Sequence, residues 1–192
     1  KEVGCLGALV ITASHNPYNW LGLKIKSFNG CSVDESFTSE VEKRLILGNS
    51  IEKIDGINQL VDIKKFHLDR IKSLFDIDYI SKRLKKMKLR IFVDSMHGSA
   101  ANCMAEIFAS NDLEVISEIR KDADPFFGGK PPEPLLNYAD DLKQTLMKNS
   151  TNEVKTLGII FDGDGDRIAA IDEKGRYSST QDLLPYFISY LG

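Results

Sequence analysis

Apolar runs of strand length alternate along this chain with helix-length amphipathic segments, and that alternation limits the fold more than any other feature. Residues 7–13, 23–27, 89–93, 114–119, 157–161 and 168–172 read as strands. Between them, residues 36–47 carry Phe37, Val41 and Leu45 at helical spacing, with Gly48 placed to cap the end. Residues 64–88 show helical periodicity through Phe66, Ile71, Leu74, Phe75, Ile77, Ile80 and Leu84. Helices are expected near 100–110, 138–148 and 181–191 as well. A strand–helix alternation buries its apolar faces best as α/β layers. The expected fold is therefore α/β, with two βαβ-like layers and right-handed crossovers. In full, we expect α/β/α sandwich domains with mixed, mainly parallel sheets, repeated along the chain.

The composition shifts at about residue 86, where the charged helical run ends in the basic stretch 82–88 and a fresh strand begins. We read that stretch as a solvated helix end and place the main domain boundary there. A second boundary is expected near residue 176. With 192 residues and a net charge of −3, the chain has core-forming capacity but no field that calls for nucleic acid or an anionic membrane. It has no apolar run near the roughly 20 residues that span a bilayer and no signal-peptide pattern. Cys5, Cys31 and Cys103 are odd in number and form no C-x-x-C pair, which argues against a disulfide framework or a zinc site and suits reduced thiols in the cytoplasm. Starting at Lys1-Glu2-Val3 and closing at Leu191-Gly192, the chain reads as a piece of something larger.

Asp162-Gly163-Asp164-Gly165-Asp166-Arg167 is the strongest chemical signal. Three carboxylates at i, i+2 and i+4 follow the strand 157–161, separated only by glycines that permit sharp turns. Carboxylates that converge repel one another unless a cation intervenes, and an all-oxygen set selects Mg²⁺, Mn²⁺ or Ca²⁺. The carboxyl end of a strand is where open α/β sheets place their ligands. Arg167 beside the cluster can neutralise a carboxylate or hold an oxyanion. A solvated acidic turn is the plain alternative. An EF-hand loop would explain Glu173 at its twelfth position, but it needs glycine at the sixth, where Arg167 stands.

A second strand, residues 7–13, runs into Ser14-His15-Asn16-Pro17. Strand-then-serine exposes a hydroxyl, although no G-x-S-x-G elbow is present and Ser, Asn and Pro are ordinary turn formers. Taken together, Thr12-Ala13-Ser14-His15-Asn16-Pro17, Lys24 ten residues after Ser14, and the later DGDGDR motif resemble the α-D-phosphohexomutase family of phosphoglucomutase and phosphomannomutase. Asp94-Ser-Met-His97-Gly98, the loop PFFGGKPPEP and Ile171-Asp-Glu-Lys-Gly175 also look like that family's second domain. One departure is Trp20-Leu21-Gly22, where many relatives have Y-N-G before the motif lysine.

The resemblance implies a set of roles. Ser14 would be a phosphoserine that donates its phosphoryl group to a hexose phosphate and takes one back from the resulting bisphosphate. One Mg²⁺ would be held by Asp162, Asp164, Asp166 and the phosphorylated Ser14. His15 would assist proton transfer or hydrogen-bond the phosphate, Lys24 would be a general acid/base or charge stabiliser, and Asn16 and Arg167 would bind phosphate, Arg167 also acting in transfer. Residues 1–86 would be the later part of domain I, 87–176 domain II, and 177–192 the start of domain III or a linker helix. A glucose 1,6-bisphosphate-type activator, a hexose phosphate substrate and further domains of the same chain would complete the system, and this piece alone would not turn over. His97 reads as a turn residue, His67 as surface, and the loop 125–134 carries no assigned chemistry. Two rivals remain: a Mg²⁺-dependent phosphatase of haloacid-dehalogenase type with Asp162 as nucleophile, and a Ca²⁺-binding module.

Overall fold

A computed structural model describes residues 4–48, 56, 59–109 and 115–191. By contact the chain divides into two units. One comprises residues up to Thr12 together with Leu21–Phe66; the other comprises Ala13–Trp20 together with the residues from His67 onward.

In the first unit, strand β1 (Gly7–Ile11) pairs antiparallel with β2 (Leu23–Ser27), Gly7 opposite Ser27 and Ile11 opposite Leu23. The expected βαβ layer is thus replaced here by an antiparallel pair. An apolar run marks a strand but says nothing about the direction of its partner. Helix α1 (Glu35–Leu47) ends where expected: Gly48 takes the left-handed φ of +62° and donates its N–H to the Leu45 carbonyl. No described residue of this unit is fully buried.

The second unit holds a five-stranded sheet. Strand β3 (Leu89–Asp94) runs parallel to β4 (Ile116–Ile119) at one edge and to the central strand β5 (Lys155–Phe161) on its other side. Beyond β5, the strands β6 (Ile168–Asp172) and β7 (Tyr177–Ser178) continue antiparallel. The sheet is mixed and the unit is α/β.

Successive residues of a strand point to opposite faces, and both faces of this sheet are apolar. Ile91 and Val93 join Leu68, Leu84, Ile107, Phe108 and Ile116 on one side. Phe92 and Ile160 join Leu142, Leu146 and Ile171 on the other. Helices α2 (Ile63–Leu74), α3 (Ile77–Lys86) and α4 (Cys103–Phe108) supply the first layer, and α5 (Asp140–Asn149) the second. A Cβ on Gly158 would lie 2.7 Å from Leu142 Cδ2, so the glycine lets α5 settle onto β5.

The single periodic run 64–88 is two helices, because the Asp76 side chain accepts the Tyr79 N–H at 2.8 Å and starts α3 afresh. The contacts divide the chain at Phe66/His67, whereas the change of composition near residue 86 marks where these helices hand over to β3. Helix α4 starts later than 100, since Met96, His97 and Asn102 take positive φ values and coil the chain before it. Ser110 and Glu114, the far end of that expected helix and the start of the next strand, lie outside the described residues. The final helix α6 (Thr180–Leu191) follows β7. Among the described residues, no helix is long and apolar enough to cross a membrane.

Candidate active site

The acidic motif occupies the turn between β5 and β6. Asp162 closes that turn on itself: its N–H donates to the Arg167 carbonyl at 3.3 Å, and its Oδ1 accepts the Arg167 N–H at 3.0 Å. Gly165, at φ +77°, donates to the Asp162 carbonyl at 3.1 Å, a conformation that favours glycine. This winding gathers one carboxylate oxygen from each of Asp162, Asp164 and Asp166 within 4.8 Å of one another.

Asp162 is fully buried, and its Oδ2 has no hydrogen-bond partner. Burial pushes its carboxyl above the ordinary range, the Arg167 N–H opposes this, and the charges of Asp164 and Asp166 add to the rise. An orphaned buried oxygen and mutually repelling carboxylates are the marks of a site that a hard divalent cation would satisfy. The donor set therefore fits such an ion, with Asp162, Asp164 and Asp166 as its ligands. The flanking elements are antiparallel strands, not the helices of an EF-hand.

Residues 13–20 belong by contact to this unit although the strand that precedes them does not. Ser14 adopts φ +56°, and Asn16 locks the turn by donating both its N–H and its Nδ2 to the Ala13 carbonyl, at 3.0 and 2.9 Å. The Ser14 hydroxyl donates to Asp164 Oδ1 at 3.3 Å, across 150 residues of sequence. His15 Nδ1 stands 3.4 Å from the same Oγ.

The two loops approach backbone to backbone. A Cβ on Gly163 would fall 2.6 Å from the Ser14 carbonyl oxygen, and one on Gly98 would fall 2.5 Å from the Gly163 carbonyl oxygen. The Ser99 N–H donates to that Gly163 carbonyl at 2.9 Å. Tyr18 packs edge-on against Phe126, ring centroids 5.0 Å apart.

One unit thus brings together Ser14, His15, Asn16, Asp162, Asp164, Asp166 and Arg167. Lys24 lies in the first unit, half-buried on β2 opposite Val10. His97 has φ +60°, its N–H donates to the Arg120 carbonyl, and its Nδ1 lies 2.8 Å from the Asp122 carbonyl. His67 is exposed on α2.

Two charged residues, Arg120 and Glu133, were not anticipated from sequence. Buried Asp94 at the end of β3 pairs with Arg120, which also reaches the Tyr138 carbonyl. Glu133 lies 3.8 Å from His15 Nε2 and 3.7 Å from Arg167 Nη1. The one signal for Glu133 was its place as a lone carboxylate between prolines in Pro131-Pro132-Glu133-Pro134. Chemically, the arrangement offers a hydroxyl between a carboxylate and an imidazole, beside a cation site and a guanidinium.

Comparison with known proteins places this geometry in context. A family model described as phosphoglucomutase/phosphomannomutase, alpha/beta/alpha domain II, matches residues 65–175, and the corresponding domain I model matches residues 1–50. The phosphoglucosamine mutase of Methanococcus vannielii is 31% identical over 191 residues, covering 95% of this chain and 40% of its own length. Phosphoglucomutase 1 of Drosophila melanogaster is 28% identical over 214 residues, covering 97% of this chain and 38% of its own length. The chain thus spans about 40% of the length of the curated relatives it matches. A solved phosphoglucomutase/phosphomannomutase family protein from Burkholderia thailandensis shares the fold, with a TM-score of 0.68 and 24% identity over 89% of this chain and 34% of its own.

Proposed function

Since the chain belongs to the phosphoglucomutase/phosphomannomutase family, we propose that it carries the phosphoryl-transfer and metal-binding part of an enzyme that interconverts hexose 1-phosphates and hexose 6-phosphates. The observation that carries this reading is the Ser14 hydroxyl on Asp164 Oδ1 at 3.3 Å. It joins Ser14, in the turn after β1, to the one acidic cluster among the described residues that could hold a metal. A phosphatase using Asp162 would leave that contact without a purpose.

Phosphorylated Ser14 is the resting donor. The bond between Ser14 Oγ and phosphorus breaks as a hydroxyl oxygen of the hexose monophosphate bonds to that phosphorus, and the hydroxyl proton passes to a base. The product is a hexose bisphosphate and free Ser14, whose Oγ takes up a proton as its bond to phosphorus breaks. After the bisphosphate turns around, Ser14 Oγ attacks its other phosphoryl group. The serine proton leaves towards Asp164 Oδ1 or His15 Nδ1, and the released sugar oxygen takes up a proton. A glucose 1,6-bisphosphate-type activator would restore any enzyme that loses its intermediate.

Asp162, Asp164 and Asp166, with a serine phosphate oxygen, would hold one Mg²⁺, which supplies Lewis-acid stabilisation of charge on the transferring group. Asn16 fixes the turn that presents Ser14, and Arg167 is a bidentate donor for phosphate oxygens. Lys24 is the proposed general acid/base on the sugar hydroxyl. Relatives named for glucose, glucosamine and mannose phosphates leave the sugar open, and domains beyond this chain would choose it.

The test is intact-protein mass with fragmentation after exposure to a hexose bisphosphate. A phosphate on Ser14, absent from Ser14→Ala, supports the reading; a phosphate on Asp162 would move the chain to the phosphatase class.

A further inference from the structure

We propose that Glu133 is a positioning residue of the transfer site, holding His15 and Arg167 in place through a single carboxylate oxygen. This rests on the phosphoryl-transfer reading and extends it to the loop 125–134, to which the sequence assigned no chemistry. Both contacts converge on Oε1: His15 Nε2 at 3.8 Å and Arg167 Nη1 at 3.7 Å. His15 belongs to the serine loop and Arg167 to the metal loop, so this one carboxylate bridges the two segments that bear the chemistry. The Glu133 side chain is 27% exposed and that of Arg167 44%, so water screens this charge pair only in part.

The backbone around Glu133 is fixed independently of its side chain. Buried Pro132 accepts the Gly163 N–H at 3.0 Å, which ties this loop directly to the metal-binding turn. Tyr177 donates its hydroxyl to the Pro134 carbonyl at 2.6 Å on the other side. Prolines at 131, 132 and 134 fix their own φ, and Pro134 steers Glu133 away from the helical region. A carboxylate carried on so constrained a stretch holds a cation in place with little ordering cost at the moment of transfer. Arg167 therefore stays turned toward Glu133 rather than collapsing onto Asp162, Asp164 or Asp166. His15 stays turned so that Nδ1 faces Ser14 Oγ at 3.4 Å while Nε2 faces Glu133.

Removing the charge should cost the transition state and spare the fold. The experiment compares wild type, Glu133→Gln and Glu133→Asp in the intact protein, measuring hexose phosphate turnover, melting temperature and the rise in melting temperature on adding Mg²⁺. We expect Glu133→Gln to lower kcat and kcat/KM together by about tenfold or more, the pattern of an interaction made in the transition state. Glu133→Asp, which keeps the charge on a shorter arm, should retain more activity than Glu133→Gln. Melting temperature and the Mg²⁺ response should match wild type in both, because no metal carboxylate and no loop backbone bond is touched. Wild-type activity in Glu133→Gln, or equal losses in the two variants, would overturn the role while leaving the mutase reading intact. Loss of activity with a collapsed melting temperature in both variants would also overturn it, making Glu133 a fold residue. A wild-type protein with neither turnover nor phosphate on Ser14 would remove the mutase reading, and this proposal with it.

Discussion

Ser14 holds φ at +56°, where an L side chain costs about 1–2 kcal/mol relative to the right-handed region. Glycine carries no such cost, so Ser14→Gly should melt higher than Ser14→Ala by about 1 kcal/mol of stability in a denaturant titration. Both variants should lack the phosphate. Asp162 gives a second expectation. Its folded-state carboxyl titrates above its unfolded value, so its cost is absent below the unfolded value, grows as pH rises from there towards the folded value, and is fully present above it. Asp162→Asn removes that cost while its amide oxygen can still accept the Arg167 N–H. In the absence of divalent cation it should therefore be at least as stable as wild type at neutral pH, and it should lose the thermal stabilisation that Mg²⁺ gives wild type. At this scale the sequence was informative wherever chemistry was local: three carboxylates in five residues, and a serine where an apolar run stops. Glu133 and Arg120 were not legible, because their meaning lies in partners 118 and 26 residues away that no local pattern names: Glu133 faces His15, and Arg120 pairs with Asp94.

At the scale of elements, the site depends on loops that meet through their backbones. Gly163→Ala would set a methyl group 2.6 Å from the Ser14 carbonyl oxygen, and Gly98→Ala would set one 2.5 Å from the Gly163 carbonyl oxygen. Neither obstacle is a side chain that can rotate away. Each substitution should cost about 1–3 kcal/mol of stability by overpacking, and weaken the Mg²⁺-induced rise in melting temperature. Gly158→Ala, by contrast, meets the Leu142 and Leu146 side chains and should lower stability without touching the Mg²⁺ response.

The loop carrying Phe126 and Glu133 opens on Asp124, whose carboxyl is held below its usual range by the N–H groups of Phe126 and Gly128. A depressed folded-state value means the stabilisation is present above the unfolded carboxylate value of about 3.9 and is lost as pH falls through the folded one. Limited proteolysis should therefore cut this loop faster as the solution is acidified through that window, and Asp124→Asn should flatten the dependence. The strands and helices themselves were largely legible, since period and length are local properties. Strand direction was not: β1 with β2, and β5 with β6, pair antiparallel on information held in the turns between them. The two-residue β7 is too short to carry a period at all.

Over the whole molecule, two units differ in how completely they bury themselves. The second has apolar clusters on both faces of its sheet, whereas Leu9, Ile11, Leu23, Phe28 and Phe37 of the first are exposed. With the chain spanning about 40% of its relatives' length, we expect these 192 residues alone to bind Mg²⁺ through the acidic turn but not to interconvert hexose phosphates. The intact protein should do both. The claim at the centre is that Ser14 carries the phosphoryl group beside the three aspartates. The most direct measurement is transfer of label from a hexose 1-phosphate, radiolabelled at phosphorus, to the intact protein in the presence of Mg²⁺, followed by a chase with unlabelled substrate. The expected result is an acid-stable phosphate on Ser14 that the chase removes into hexose bisphosphate and hexose 6-phosphate. A base-labile acyl phosphate on Asp162, or label on Ser14 that no hexose phosphate displaces, would contradict it.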